Sequence, residues 1–351
     1  MVPEVVLTWS GHSVLAMYLG LCSVVGFVSN LVVLVLFARF SVLRTPVTCL
    51  LLNVSVSDML LCVLGTPFIF SSSVFGRWLI GPRGCGWFGF ANTLSGVVSL
   101  VSLTVLSVER YCWVVCGSGA EFLDLRKVRV SAMFCWCYSL VWMVPPLLGR
   151  SRYGPEGPGT TCSIQWNLQN PGSRTYIICL FIFCLLLPLL IILFCYGSIL
   201  LSVHTLFSAL QNPSLRRREV RVLLIVLLMV LWFLFCWLPY GTVALLGTLG
   251  SSVTFGPFLS IFPAVLSMSS TVINPVLYVL FNRQFYRCFL ALVKCGSQPQ
   301  PKHRTHTLYT PHTHSTLHTH STGPHSVTDI SEPNGIALGV YTHPTPSGVK
   351  E

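Results

Sequence analysis

Charged residues at the ends of two long apolar segments could form an ion pair that opens and closes. Glu109-Arg110-Tyr111 ends one of these segments, and Glu219 begins another, directly after three arginines. An arginine beside a glutamate can pair with it and still present its planar guanidinium to a second carboxylate. We predict that Arg110 joins Glu109 to Glu219 and thereby latches the two segments together. The alternative is that these are ordinary helix-end charges.

A second polar group lies within the apolar segments. Asp58 is the charged residue deep inside one of them, and three asparagines, Asn30, Asn53 and Asn274, could meet it through water. A charge in hydrocarbon is costly, so an ionisable residue there indicates function by default. Polar side chains also hold helices together in lipid, whatever their function. Both interpretations stay open.

The composition shows what kind of chain positions these residues. Of 351 residues, 53% are hydrophobic and 9% are charged, and the mean hydropathy is +0.73. Soluble domains carry about 25% charged residues, which excludes a soluble enzyme, a disordered protein or a coiled coil. The net charge of +11 lies in short basic loops between apolar runs. Such loops set orientation in a membrane, so we expect no nucleic-acid binding.

Apolar stretches long enough to cross a bilayer occur seven times. They cover roughly residues 13–37, 47–71, 86–112, 129–148, 175–202, 218–247 and 255–280. The expected fold is therefore an all-α membrane protein with seven transmembrane helices plus a short amphipathic cytoplasmic helix. The predicted parts are a short extracellular N-terminus at 1–12, the bundle at 13–280, the amphipathic helix at 281–295 and a tail at 296–351.

The distribution of basic residues predicts the orientation. The loops after the first, third and fifth spans and the segment after the seventh hold thirteen Lys and Arg residues, whereas the opposite loops hold five. Basic loops remain on the cytoplasmic side. We therefore expect a multi-pass plasma-membrane protein with an extracellular N-terminus and a cytoplasmic C-terminus.

The segment after the last span is predicted to lie on the membrane surface. Phe285, Phe289 and Leu292 recur at helical spacing, with Arg283 and Arg287 on the other face. Cys295 follows and is a candidate for palmitoylation. The tail beyond it is rich in His, Thr, Ser and Pro, which predicts disorder and favours a flexible tail of biased composition over a metal site. Its Ser and Thr hydroxyls could equally be kinase targets.

Three phrases inside the spans predict hinges. They are Pro188 with Tyr196, Cys236-Trp-Leu-Pro239-Tyr240, and Asn274-Pro275-Val-Leu-Tyr278. Proline removes a backbone hydrogen bond and kinks a membrane helix, while neighbouring groups satisfy the freed carbonyl. Aromatic side chains beside such kinks could act as levers.

In this order, the motifs resemble those of the rhodopsin-like G-protein-coupled receptors. The resemblance covers residues 13 to 292 and rests on Asn30, Asp58, Glu109-Arg110-Tyr111, Trp136, Pro188, Cys-Trp-Leu-Pro and Asn-Pro-x-x-Tyr. It implies a disulfide between Cys85 and Cys162. It also implies a heterotrimeric G protein at the cytoplasmic face, with a receptor kinase and arrestin as partners of the tail.

The resemblance extends to residues for activation and coupling. The implied set is Asn30, Asp58, Glu109, Arg110, Tyr111, Tyr196, Glu219, Asn274, Pro275, Tyr278, Asn282, Arg283 and Gln284.

Within this class the chain looks like an opsin, most similar to encephalopsin and the teleost multiple tissue opsins. The phrases that carry this likeness are Ser151-Arg-Tyr-Gly-Pro-Glu-Gly157, Phe281-Asn-Arg-Gln-Phe285 and the region from Gly76 to Asn92. The family role is photoreception with retinal held as a Schiff base. Its lysine lies six residues before the Asn of Asn-Pro-x-x-Tyr, and that position here is Met268.

The missing amine excludes covalent retinal binding by the opsin mechanism. A thioether cannot condense with an aldehyde, and the four lysines (Lys127, Lys294, Lys302 and Lys350) are all predicted to be cytoplasmic. Retinal is therefore expected only as a non-covalent ligand. One family counterion position is Phe88, and we expect the acid at the other, Glu156, to be a solvated loop residue.

The remaining pocket positions match those of opsins and predict an apolar, aromatic cavity in the outer half of the bundle. The candidate lining is Phe88, Thr93, Gly96, Glu156, Phe181, Phe233, Trp237, Tyr240, Ala264 and Met268. Such a composition is typical of sites for small ligands. Simple core packing is the alternative.

These observations favour a receptor that carries a signal from this pocket to a G protein. The alternatives are a non-signalling retinoid-binding protein and a non-photosensory receptor for another small apolar ligand. A transporter would be expected to show internal repeats or several intramembrane charges, and the sequence has neither. No set of nucleophile, base and orienting residue can be assembled from the spans, so we expect no enzyme and no metal site.

Overall fold

A computed structural model describes residues 9–116, 124–156, 159–166, 170–209, 213–249 and 257–294. The predicted tail and Cys295 lie outside these residues. The helices are α1 (Trp9–Arg39), α2 (Pro46–Leu64), α3 (Thr66–Val74), α4 (Gly81–Val114), α5 (Leu125–Met143), α6 (Pro171–Phe181), α7 (Leu187–Ala209), α8 (Pro213–Thr248), α9 (Pro257–Met268), α10 (Ser270–Phe281) and α11 (Arg283–Val293).

Seven spans are built from these helices, as predicted. Six long, apolar segments can each cross a membrane: α1, α2 with α3, α4, α5 with the short helix Pro145–Leu148, α6 with α7, and α8. The seventh span is α9 followed by α10. The all-α membrane fold is thus confirmed. The first helix begins at Trp9, within the predicted N-terminal segment 1–12.

The helices are interrupted at residues that weaken the pattern of backbone hydrogen bonds. A single π-helical turn, Ile182–Leu186, lies immediately before Pro188 in the fifth span. Proline cannot donate the next hydrogen bond, and a wider turn is one way for a helix to accommodate that loss. The second span breaks at Gly65, and the seventh breaks at Ser269 between α9 and α10. Of the predicted hinge prolines, Pro239 and Pro275 lie inside α8 and α10.

A hairpin covers the outer end of the third span. Its strands, β1 (Tyr153–Glu156) and β2 (Thr161–Ile164), pair antiparallel and pack against α4. The disulfide between Cys85 in α4 and Cys162 in β2 is present, and both cysteines are buried. The predicted pairing is confirmed. The bond ties the hairpin to the bundle.

We expect the double substitution Cys85→Ser, Cys162→Ser to lower the free energy of unfolding by about 2–5 kcal/mol, because the cross-link restrains the unfolded chain. Thermal unfolding in detergent and surface expression measure the effect. Cys179→Ser is the matched control, since Cys179 carries a free thiol in α6. A double variant as stable as this control would contradict the prediction.

The last helix turns sharply away from the bundle. The axis of α11 makes an angle of 93° with the segment Val265–Phe281. Phe285 and Cys288 are buried against the bundle, whereas Arg283 and Arg287 are exposed. Apolar and charged residues therefore lie on opposite faces of α11, as predicted for a helix on the membrane surface.

Candidate functional site

An apolar cavity of about 120 Å³ lies between the middle of α4, the fifth span, α8 and the hairpin. Aromatic side chains form much of its wall: Trp166, Phe181, Phe233, Trp237 and Tyr240. Typical small-molecule sites measure about 300–1,000 Å³. In this conformation the cavity fits a small ligand, and a larger one requires its walls to move.

Six of the ten predicted pocket residues line this cavity. They are Thr93, Gly96, Phe181, Phe233, Trp237 and Tyr240. The side chain of Ala264 lies outside the described part of the structure.

The indole of Trp237 packs directly against Gly96, where there is no side chain to obstruct it. A Cβ atom at Gly96 would lie 2.4 Å from the Trp237 ring. Trp237 stacks on Phe233 with ring centroids 5.7 Å apart, and its edge meets Tyr240 at 6.0 Å. The floor of the cavity is therefore a packed aromatic group that only a residue without a side chain permits at this position.

Phe88 and Met268 do not line the cavity, contrary to the prediction. Both are buried in a separate apolar cluster with Leu15, Leu19, Ile69 and the disulfide. No residue in the described part of α9, the helix that carries Met268, lines the cavity. The two positions that hold an amine and a counterion in the resembled family here belong to one hydrophobic core.

Retinal in its covalent form does not fit these residues. The thioether of Met268 is no nucleophile towards an aldehyde. Phe88, which is buried in the same apolar cluster as Met268, cannot carry the charge that would balance a protonated imine. Covalent attachment at this position is excluded by the residues present.

Glu156 also differs from the prediction, since it does not line the cavity and is not a solvated loop acid. Its side chain is partly buried beneath the hairpin, and Trp166 Nε1 donates a hydrogen bond to its Oε1 at 3.2 Å. Burial raises the pKa of the Glu156 carboxyl, and hydrogen bonds from Ser163 and Trp166 oppose that shift. The β1 strand ends at Glu156 and turns it towards the bundle, which the sequence alone did not predict.

Trp166 was missed by sequence reasoning and joins the cavity to Glu156. It follows Cys162 by four residues, and its ring meets Tyr240 edge-on at 5.4 Å. The disulfide-linked strand directly before it is the signal that could have identified it.

A hydrogen bond links the cavity to the seventh span. Trp237 Nε1 donates to Ser270 Oγ at 3.2 Å, next to the break between α9 and α10. Ser270 was not predicted, since one more serine in an apolar span carries no distinctive pattern. A displacement of Trp237 would therefore act on the span that carries Asn274, Pro275 and Tyr278.

The buried polar residues hold the spans together through direct contacts. Asn274 Nδ2 donates to Asp58 Oδ2 at 3.0 Å, joining the second and seventh spans. Asn30 Nδ2 donates to the Thr271 carbonyl at 3.0 Å. Asn53 does not join this group: it donates to Ser102 at 2.9 Å and accepts from Trp136 at 2.9 Å.

The predicted charge cluster forms at the other end of the bundle. Arg110 pairs with Glu109 through Nε and Nη2, and its Nη1 donates to Glu219 Oε2 at 3.2 Å. Arg110 is 5% exposed. One guanidinium thus joins α4 to α8, two helices far apart in sequence.

The other predicted coupling residues surround this ion pair or the start of α11. Tyr196 Oη donates to the Leu223 carbonyl at 3.3 Å, and Tyr111 packs against Phe194. Tyr278 is fully buried beside Phe285. Asn282 caps α11 by accepting from the Gln284 backbone N–H at 3.0 Å, while Arg283 points outwards.

Comparison with known proteins agrees with this architecture. Residues 29–278 match the family model of the 7 transmembrane receptor (rhodopsin family). The chain is 36% identical to chicken (Gallus gallus) pinopsin, covering 83% of this chain and 85% of that protein, and 37% identical to mouse (Mus musculus) Opsin-3, covering 80% and 70%. The crystal structure of squid rhodopsin superposes with a TM-score of 0.75 at 25% identity, covering 85% of this chain and 93% of that one.

Assignment to a particular opsin subfamily stays a prediction. The class itself follows from the matched length and identity, and opsins are signalling receptors that cross the membrane several times. The chain therefore belongs to the opsin family of rhodopsin-like G-protein-coupled receptors.

Proposed function

We propose that this chain is a receptor in which a non-covalently bound small ligand, held in the aromatic cavity, controls a cytoplasmic site for a heterotrimeric G protein. The observation that carries the proposal is the ion pair between Arg110 and Glu219, which joins α4 and α8. A protein that only bound retinoid would need no such contact between two cytoplasmic helix ends. The cavity alone would suit either function.

The ion pair is suited to act as a latch. Its two side chains are 6% and 12% exposed, so they are shielded from water but still close to the surface. Pairs in such positions are worth little more than about 1 kcal/mol net, because desolvation offsets much of the attraction. A contact of that strength can bias two states without locking either.

The path from cavity to latch runs through α8. Trp237 lines the cavity and Glu219 lies in the first turns of the same helix, with Pro239 inside the stretch 233–245 that lines the cavity. A ligand that displaces the Trp237 ring acts on α8 directly and on the seventh span through Ser270. Rotation of α8 would separate Glu219 from Arg110 and open the cytoplasmic face.

The orientation and the further partners belong to the same proposal. The N-terminus is extracellular, the ligand enters from outside, and the G protein, a receptor kinase and arrestin act from the cytoplasm. Retinal acts, if it binds, without a covalent link. The input to the receptor is then either light absorbed by bound retinal or the binding of another small apolar molecule.

We expect Glu219→Gln to raise ligand-independent signalling about fivefold, since loss of about 1 kcal/mol from the closed state shifts the two-state equilibrium by that factor. The measurement is nucleotide exchange by a panel of purified heterotrimeric G proteins on receptor in lipid nanodiscs.

Asp124→Asn is the control, because it removes an acidic charge on the predicted cytoplasmic side at the start of α5. It should leave basal exchange at the wild-type level. If Glu219→Gln behaves like Asp124→Asn with every G protein, the ion pair is no latch and the proposed coupling is wrong.

A further inference from the structure

One polar group in the wall of the apolar cavity makes no hydrogen bond of normal geometry within the described residues. The hydroxyl of Tyr240 is buried at the cavity wall, where Tyr240 is 7% exposed; the Ser163 hydroxyl lies near it, but no hydrogen bond of normal geometry satisfies it among the described residues. An unpaired buried hydroxyl costs about 1–3 kcal/mol. Such a group in a cavity wall indicates a ligand whose polar end reaches it.

An acid is linked to this end of the cavity through Trp166. The carboxylate of Glu156 interacts electrostatically with Tyr240, and Trp166, which lines the cavity, donates to Glu156 Oε1 at 3.2 Å. Within the described residues no salt bridge neutralises Glu156. Glu156 is not itself a lining residue, but through its contact with Trp166 it marks, with the Tyr240 hydroxyl, the polar end of an otherwise apolar cavity.

The aromatic rings around this polar end favour a cation. Trp166 and Trp237 both pack nearly perpendicular to the Tyr240 ring, at 5.4 and 6.0 Å between ring centroids. Aromatic faces attract ammonium groups, most strongly where water is excluded. An ammonium carries only donors, so it can bond to both the Glu156 carboxylate and the Tyr240 oxygen. A ligand carboxylate there would face Glu156 with like charge.

We propose that the cavity binds a small lipophilic amine, with its ammonium group between Glu156 and Tyr240 and its apolar body against Phe233 and Trp237. This inference rests on the proposed function and names the class of ligand. Partial burial raises the pKa of the Glu156 carboxyl. A bound cation would restore the charged form by supplying the counter-charge that the described residues lack.

The size of the cavity limits the apolar body. At about 120 Å³ it is comparable to an engineered protein cavity of about 150 Å³ that binds benzene. We therefore choose as the probe a single aromatic ring with a two-carbon arm ending in an amine. Larger amines would need Trp237 to move.

The test compares 2-phenylethylamine with 2-phenylethanol, which has the same carbon skeleton but no charge at neutral pH. Saturation-transfer NMR on the purified full-length receptor in nanodiscs gives both affinities. We expect the amine to bind about tenfold more tightly than the alcohol, because its hydrogen bonds are charge-assisted. In Glu156→Gln, which keeps an acceptor for Trp166, the two affinities should become equal.

The alcohol serves as the internal check on folding, since its affinity should be the same in wild type and Glu156→Gln. Glu4→Gln is the charge-matched control and should keep the tenfold preference. Equal binding of amine and alcohol by wild type, a preference that survives Glu156→Gln, or no binding of either probe at millimolar concentration would each overturn the inference. None of these results bears on the latch, which the Glu219→Gln assay tests without any ligand.

Discussion

Wild-type receptor incubated with 11-cis-retinal is expected to show no absorption band beyond that of free retinal, whereas Met268→Lys should capture the aldehyde covalently. Borohydride reduction and mass spectrometry detect that link. The absorption of Met268→Lys alone should stay in the near ultraviolet. The surroundings of Met268 are apolar and include Phe88 in place of a counterion, so the uncharged imine is favoured there.

The variant Phe88→Glu completes this experiment. Combined with Met268→Lys it should yield a visible, bleachable pigment, because an acid then lies in the same buried cluster as the amine. Phe88→Glu alone supplies the acid without the amine and should form no pigment. A visible band from wild type would contradict the argument from the missing amine. A visible band from Met268→Lys alone would mean that another acid, such as Glu156, reaches this position.

Gly96→Ala should be among the most damaging single-methyl additions in the chain. The new Cβ would lie 2.4 Å from the Trp237 ring, and a ring held by Phe233, Tyr240 and Ser270 can move only by breaking those contacts. Overpacking of this kind lowers the free energy of unfolding by about 1–3 kcal/mol. Thermal unfolding in nanodiscs, followed by tryptophan fluorescence, measures both the loss of stability and the displaced indole.

Gly197→Ala is the matched control for this substitution. Gly197 lies inside α7, and a Cβ there meets no other atom within 4 Å. An alanine at this position should leave the stability unchanged or raise it by about 0.4–1 kcal/mol, since it reduces the freedom of the unfolded chain. If Gly96→Ala is as stable as Gly197→Ala, Trp237 does not occupy the position described.

Three features of the chain follow from the sequence alone. The bilayer requires about 20 apolar residues per crossing, so the spans, and with them the membrane class, can be recognised from the lengths of the apolar runs. The absence of a lysine at position 268 likewise excludes a Schiff base with retinal there, whatever the orientation of the side chain. The amphipathic α11 follows too, because its charges and apolar residues separate at helical spacing.

The tertiary structure decided which face of each span points inwards. Lipid tails are as apolar as leucine, so a core residue and a lipid-facing residue look alike in the sequence. For that reason Phe88 and Met268 were expected in the cavity, whereas packing places them in a separate core. The same holds for Glu156, which a hairpin and a disulfide turn inwards.

The sequence also could not decide which charged residues from different helices form ion pairs. The sequence supplies Arg110 and two acids that could pair or remain as helix-end charges, and only the packing of α4 against α8 brings Arg110 Nη1 within 3.2 Å of Glu219. The residue types therefore determined what chemistry this protein could perform. The fold decided which of those groups meet, because contacts between helices depend on the direction of each side chain and not on its position in the chain.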